Sequence, residues 1–143
     1  MERRHAFARA IGALTLAGAA AATTLGGCGE DDRPASWSYI HAAIIAPSCA
    51  TSSCHTKENN LAGVRLYSAD AAYAILVGKA CEENNPPLGT VRNYVAPGQP
   101  ERSQLVYLLI GNEVKRQMPP DRPLPDRDID LIERWILEGA QCN

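Results

Sequence analysis

Apolar residues recur at three- and four-residue intervals in four stretches of the chain, which predicts four helices. Ser36 suits the cap of the first. This helix carries Trp37, Ile40, Ile44 and Ile45 and is expected to end before Pro47. Ser68-Ala69-Asp70 opens a short second helix through Tyr73, Leu76 and Val77, stopped by Gly78. Pro100-Glu101-Arg102-Ser103 opens a third through Leu105, Leu108 and Leu109, ended by Gly111. Pro125-Asp126-Arg127-Asp128 opens the last, whose face is Ile129, Ile132, Trp135, Ile136 and Ala140, with Gly139 near its end. Its early aspartates suit the positive end of the helix dipole. Long stretches bearing Gly, Pro and Asn separate these elements, at residues 56–67, 81–99 and 112–124. Neither an alternating hairpin pattern nor an internal repeat is present, so the expected fold class is all-α.

At 143 residues the chain fits one domain behind a leader. Met1-Glu2-Arg3-Arg4-His5 is followed by an almost wholly apolar, small-residue run from Ala6 to Leu25, the pattern of a secretory signal. The run is too short and too rich in Ala, Gly and Thr for a transmembrane helix. Arg3-Arg4 with Phe7 faintly resembles a twin-arginine signal but lacks much of that pattern. The leader ends in Leu25-Gly26-Gly27-Cys28, which resembles the lipobox of bacterial lipoproteins. The small residues let an extended chain enter a peptidase, and the Cys28 thiol then accepts the lipid. The competing reading is an ordinary leader with an incidental cysteine.

The expected organisation is therefore a signal peptide at 1–27, a polar tether at 28–35 and a domain at 36–143. Gly29 offers no inner-membrane retention signal of the aspartate type, so an exported, lipid-anchored protein on the outer membrane is favoured, at its periplasmic or surface face. Loss of residues 1–27 removes three arginines and one glutamate from 14 basic and 16 acidic residues, leaving a net charge of −4. No basic patch stands out, which argues against nucleic acid and favours a partner with a basic face.

The central chemical signal is Ser48-Cys49-Ala50-Thr51-Ser52-Ser53-Cys54-His55. Two thiols with a histidine directly after the second read as a site of c-type haem attachment, in which thioethers hold the ring and the histidine ligates the iron. The spacer here has four residues instead of the common two, and it must bulge or make an extra turn to keep both sulfurs in reach. A Cys49–Cys54 disulfide is open to an exported protein. A metal site is the other alternative, although the trio lacks a clear fourth ligand. A disulfide alone gives no reason for His55.

Met118 is the only methionine outside the leader and lies in Gln117-Met118-Pro119-Pro120-Asp121-Arg122-Pro123-Leu124. A thioether in a proline-stiffened loop suits the sixth ligand of a cytochrome iron better than it suits core filling. His41 is the rival ligand, but its helical position reads as a surface or packing histidine. Burial by Trp37, Leu105 and Trp135 is expected to surround the ring and raise its potential.

The order of these features resembles the class I cytochrome c fold: helix, cysteine pair with histidine, two helices, Met-Pro loop and terminal Trp-bearing helix. Several segments look like the cytochrome-c-like domains of bacterial surface lipoproteins and planctomycete-type cytochromes. They are Cys49 to His55, Leu61-Ala62-Gly63-Val64-Arg65-Leu66, Val95-Ala96-Pro97-Gly98-Gln99-Pro100-Glu101-Arg102-Ser103, Met118-Pro119-Pro120 and Trp135-Ile136-Leu137-Glu138-Gly139-Ala140. The four-residue spacer is familiar in that group.

The resemblance covers nearly all of residues 37–140. It implies about four helices with long loops wrapping one covalent haem c, held by Cys49, Cys54, His55 and Met118. It implies electron transfer to an unidentified redox partner protein, not an enzyme reaction. Cys81 and Cys142, in an oxidising compartment, are expected to pair, two free thiols being the alternative. A haem-free lipoprotein stapled by Cys49–Cys54 and Cys81–Cys142, serving as a binding or structural module, is the competing functional class.

Overall fold

The computed structural model describes residues 31–81, 94–111 and 117–143. The leader and Cys28 lie outside this range. Four helices and no strand are present among the described residues, so the domain is all-α, and its extended pairing is one isolated bridge between His55 and Asn60.

Helix α1 is continuous from Trp37 to Cys49 but changes register twice: Trp37–Ile40 is α, His41–Ile45 is π and Ala46–Cys49 is α again. The expected stop before Pro47 is therefore corrected. Pro47 has no N–H, and its ring crowds the carbonyl four residues back. The widened π turn just before it removes the conflict, and the Ala46 N–H donates to the His41 carbonyl in the i→i+5 pattern. At the start of α1 the Ser36 hydroxyl accepts from the Tyr39 N–H at 3.4 Å. Asn143 takes the other two free donors: its side-chain oxygen accepts from the Trp37 N–H and its backbone oxygen from the Ser38 N–H, both at 2.9 Å.

Helix α2, Ala69–Val77, follows the sequence closely, with Ser68 capping Ala71 and Gly78 leaving at φ +80°. Helix α3, Gln104–Ile110, is shorter than expected. Pro100–Arg102 forms a separate 3-10 turn and Ser103 is extended between the two. Its hydroxyl, fully buried, accepts from the Ala96 N–H and donates to the Gln99 carbonyl, both at 2.9 Å. That local bonding outcompetes helix continuation. Helix α4, Asp126–Leu137, starts after Pro125 with Asp126 and Asp128 in its first turn and is left through Gly139.

The core centres on three rings. Trp37 stacks on Trp135 with centroids 5.1 Å apart, and Tyr73 meets Trp37 edge-on at 5.5 Å. Each polar tip is satisfied: Trp37 donates to the Ala69 carbonyl, Trp135 to that of Gln141 and Tyr73 to that of Ala140. Burial pushes the Tyr73 phenol above its usual pKa. Ile40, Ile44, Leu131, Ile132 and Ile136 complete this side of the core.

Cys81 and Cys142 form the expected disulfide, with Cα atoms 5.3 Å apart, and tie the end of α2 to the chain beyond α4. Across 61 residues, chain-entropy arguments put such a closure at about 4 kcal/mol. Residues 31–33, in the expected tether, lie against α4. Arg33 donates to both Asp31 and Asp128 at 2.6 Å, and Arg134 donates to the carbonyls of Asp31 and Arg33. No helix among the described residues is long and apolar enough to cross a membrane.

Candidate cofactor site

The sequence from Cys49 to His55 folds as a closed loop at the end of α1. The Cys54 N–H donates to the Thr51 carbonyl at 2.9 Å, making a turn within the spacer. The His55 N–H then donates back to the Cys49 carbonyl at 3.2 Å, so the four residues between the cysteines bulge outwards and the motif's ends stay together. The Asn59 side chain donates to the Ser52 carbonyl at 2.7 Å and pins the bulge.

The chain after His55 turns back over the motif. Thr56 bonds to Asn59, Leu61 to Cys54 and Leu66 to His55, all through backbone groups. Ala62 and Gly63 take left-handed conformations, φ +56° and +75°, to complete this turn. The His55 Nδ1 lies 3.1 Å from the Val64 carbonyl. A carbonyl only accepts, so Nδ1 is the donor, and in the neutral ring this leaves the lone pair on Nε2. A backbone carbonyl at one ring nitrogen is the usual way a protein fixes the tautomer of a metal-binding histidine.

This folded motif forms one wall of an open cavity of about 330 Å³. The volume falls in the range of roughly 300–1,000 Å³ common for small-molecule and cofactor sites. Ile45, Ser48 and Cys49 of α1 line it, with Cys54, His55 and the loop through Leu66. Gln104, Leu105, Leu108 and Leu109 of α3 form a second wall, and Met118, Pro119 and Pro120 a third. The Met118 N–H donates to the Leu108 carbonyl at 2.8 Å, which ties that loop to α3. Met118 keeps 39% exposure, so it stands at the rim and is not core filler.

Among the described lining residues none is Asp, Glu, Lys or Arg; the polar groups are those of Ser48, His55, Tyr94 and Gln104. Cys49 and Cys54 are unpaired. Burial, and secondarily the neighbouring Cys54, push the Cys49 thiol up to about 11, so it is protonated at neutral pH and a poor exchange nucleophile. Among the described residues no three His, Cys, Asp or Glu side chains come together as a metal-donor set.

Cys49, Cys54, His55 and Met118, read from the sequence as one set, thus share one cavity. His41 does not line it. It is buried inside α1 with Nε2 3.1 Å from the Leu66 carbonyl. Of the three residues expected around the ring, Leu105 lines the cavity and Trp37 and Trp135 do not: their rings are spent on each other. Tyr94, Gln104 and Leu108 were not anticipated there. For Leu108 the signal is that α3 is apolar on adjacent positions, more than a single buried stripe requires; Tyr94, ahead of α3, and the polar Gln104 carry no such signal. No family model, curated protein or solved structure matches the chain.

Proposed function

We propose that this chain is an exported monohaem c-type cytochrome that transfers electrons. The observation that carries the reading is the gathering of two free thiols, one tautomer-fixed imidazole and one thioether, 63 positions beyond it, on the walls of one apolar cavity. Those donors fit a haem: Cys49 and Cys54 for the two thioether bonds, His55 and Met118 for the iron. When bound, the group supplies one-electron chemistry at the iron. The protein's own residues do the rest. His55 Nδ1–H donates to Val64 and leaves Nε2 as the base. Leu105, Leu108 and Leu109 exclude water from the cavity wall. Met118, held by Leu108, offers a soft ligand that favours the reduced state.

His55 and Met118 would both be given to the iron, so the reading is a carrier and not an enzyme. It extends to one covalent haem c, a lipid on Cys28 at the outer membrane, and a redox partner whose face is basic. Absorption spectroscopy in alkaline pyridine tests it, on protein made in a host with active cytochrome c maturation. The wild type is expected to hold one haem per chain through denaturing electrophoresis, and a Cys49→Ser, Cys54→Ser double variant to lose it. Haem-free wild type from such a host overturns the reading. The Cys81–Cys142-stapled domain then stands as a binding module.

A further inference from the structure

We infer that His41, buried in α1 and outside the cavity, is a positioning residue for His55. The inference rests on the haem reading only for what His55 ligates. His41 is 9% exposed, and its Nε2 lies 3.1 Å from the Leu66 carbonyl. A carbonyl only accepts, so the His41 ring donates. Leu66 is itself bonded to the motif, since its N–H donates to the His55 carbonyl at 2.9 Å. Two residues earlier, the Val64 carbonyl accepts from His55 Nδ1 at 3.1 Å. The short segment from Val64 to Leu66 is therefore held at one end by His41 and holds the His55 ring at the other.

Cys49 and His41 sit on the same helix, while the ring-orienting carbonyl sits on a loop. The His41–Leu66 bond ties that loop directly to the helix. A purely apolar residue would fill the same space, but it would leave the Leu66 carbonyl buried without this donor. An imidazole is costly to bury unless it makes such a bond. Carbonyl orientation decides which His55 nitrogen is protonated, so loosening Leu66 loosens the tautomer.

The test is nitrogen NMR of the histidine rings at pH 8 on the full chain as isolated, in the reduced, diamagnetic state when haem is bound. Wild type is expected to show a ring proton on His41 Nε2 with close contacts to Leu66, and a single His55 form protonated at Nδ1. His41→Gln, which returns a donor near the Nε2 position, is expected to keep that single form. His41→Leu is expected to give a mixture of His55 tautomers in haem-free protein and a shifted His55 ring signal and altered midpoint potential in loaded protein. The inference is overturned if wild type lacks the His41 Nε2 proton, a reading that needs no variant to fold. It is equally overturned if Leu and Gln at position 41 leave His55 alike. Because the ring signals are read with or without haem, absence of haem refutes the proposed function alone and leaves this measurement decisive.

Discussion

The His55 N–H and the Cys49 carbonyl meet across 3.2 Å, closing a loop around a spacer two residues longer than the common haem-attachment motif. The extra length is absorbed as a bulge and the two ends of the motif stay adjacent. What keeps the bulge in one shape is Asn59, whose amide reaches the Ser52 carbonyl at 2.7 Å.

Asn59→Ala is expected to free the bulge without unfolding the domain. A net side-chain to backbone hydrogen bond is worth about 1 kcal/mol, or about fivefold in a local opening equilibrium. Amide hydrogen exchange at Cys54 and His55, whose N–H groups close the loop, is expected to speed up by that factor, with exchange in α4 unchanged. Equal rates in both proteins would show that the backbone turn alone shapes the spacer.

Trp135 gives the complementary expectation, because it supports the domain without lining the cavity. Trp135→Phe removes the indole stacked on Trp37 and its bond to Gln141. A loss of about 2 kcal/mol is expected. That corresponds to a fall in melting temperature on the order of 10 °C for a domain of this size. The visible spectrum of the loaded protein is expected to stay as in wild type. A spectral change would place the indole nearer the cofactor than the cavity geometry does.

Local signals carried most of the fold. The Ser68 cap, the Gly78 stop and the Pro125 start with Gly139 beyond are all short-range chemistry, and α2 and α4 fall where these residues put them. The continuation of α1 through Pro47 was hidden because the remedy, a π turn at His41–Ile45, leaves no residue signature. Asn143 capping Trp37 was hidden because the partners are 106 positions apart. At the site, Cys49, Cys54, His55 and Met118 were legible because chemistry restricts them. The surrounding walls were not: an apolar side chain on an amphipathic helix reads the same whether it meets a core or a cofactor. That ambiguity is why Trp37 and Trp135 were expected at the site, while Tyr94, Gln104 and Leu108 line the cavity instead.

The contact of residues 31–33 with α4 is expected to be sensitive to acid. A hydrogen bond from the Arg33 guanidinium, above all, lowers the Asp31 carboxyl from 3.8 to about 2, and Asp31 in turn raises Arg33. The folded form thus binds this proton less well than the free chain. The contribution is complete above about pH 4 and is lost as pH falls through about 2. Carbon NMR of the Asp31 carboxyl is expected to give a midpoint near 2 in wild type, returning toward 3.8 in Arg33→Ala. An unchanged midpoint would mean that Arg33 does not engage Asp31 in solution.

Met118 decides whether the proposed centre is a closed electron carrier. Its loop is tied to α3 at Leu108, and Gly111 ends that helix in a left-handed conformation. Gly111 has φ +75°, and a Cβ there would come within 2.7 Å of the Gln117 side chain, directly before Met118. Gly111→Ala therefore strains the backbone by about 1 kcal/mol and displaces Gln117. In loaded wild type, the near-infrared sulfur-to-iron band of the oxidised protein is expected to be present. Met118→Ala should abolish it, admit carbon monoxide to the reduced iron and lower the potential, since a methionine ligand raises it. Gly111→Ala should weaken the band, through the strained loop, with the covalent haem content unchanged. A wild type without the band, or a Met118→Ala spectrum identical to it, removes Met118 from the iron. Two thiols and His55 would still hold the haem, but its sixth position would be open to solvent and small ligands, and the centre would no longer be one built only to pass electrons.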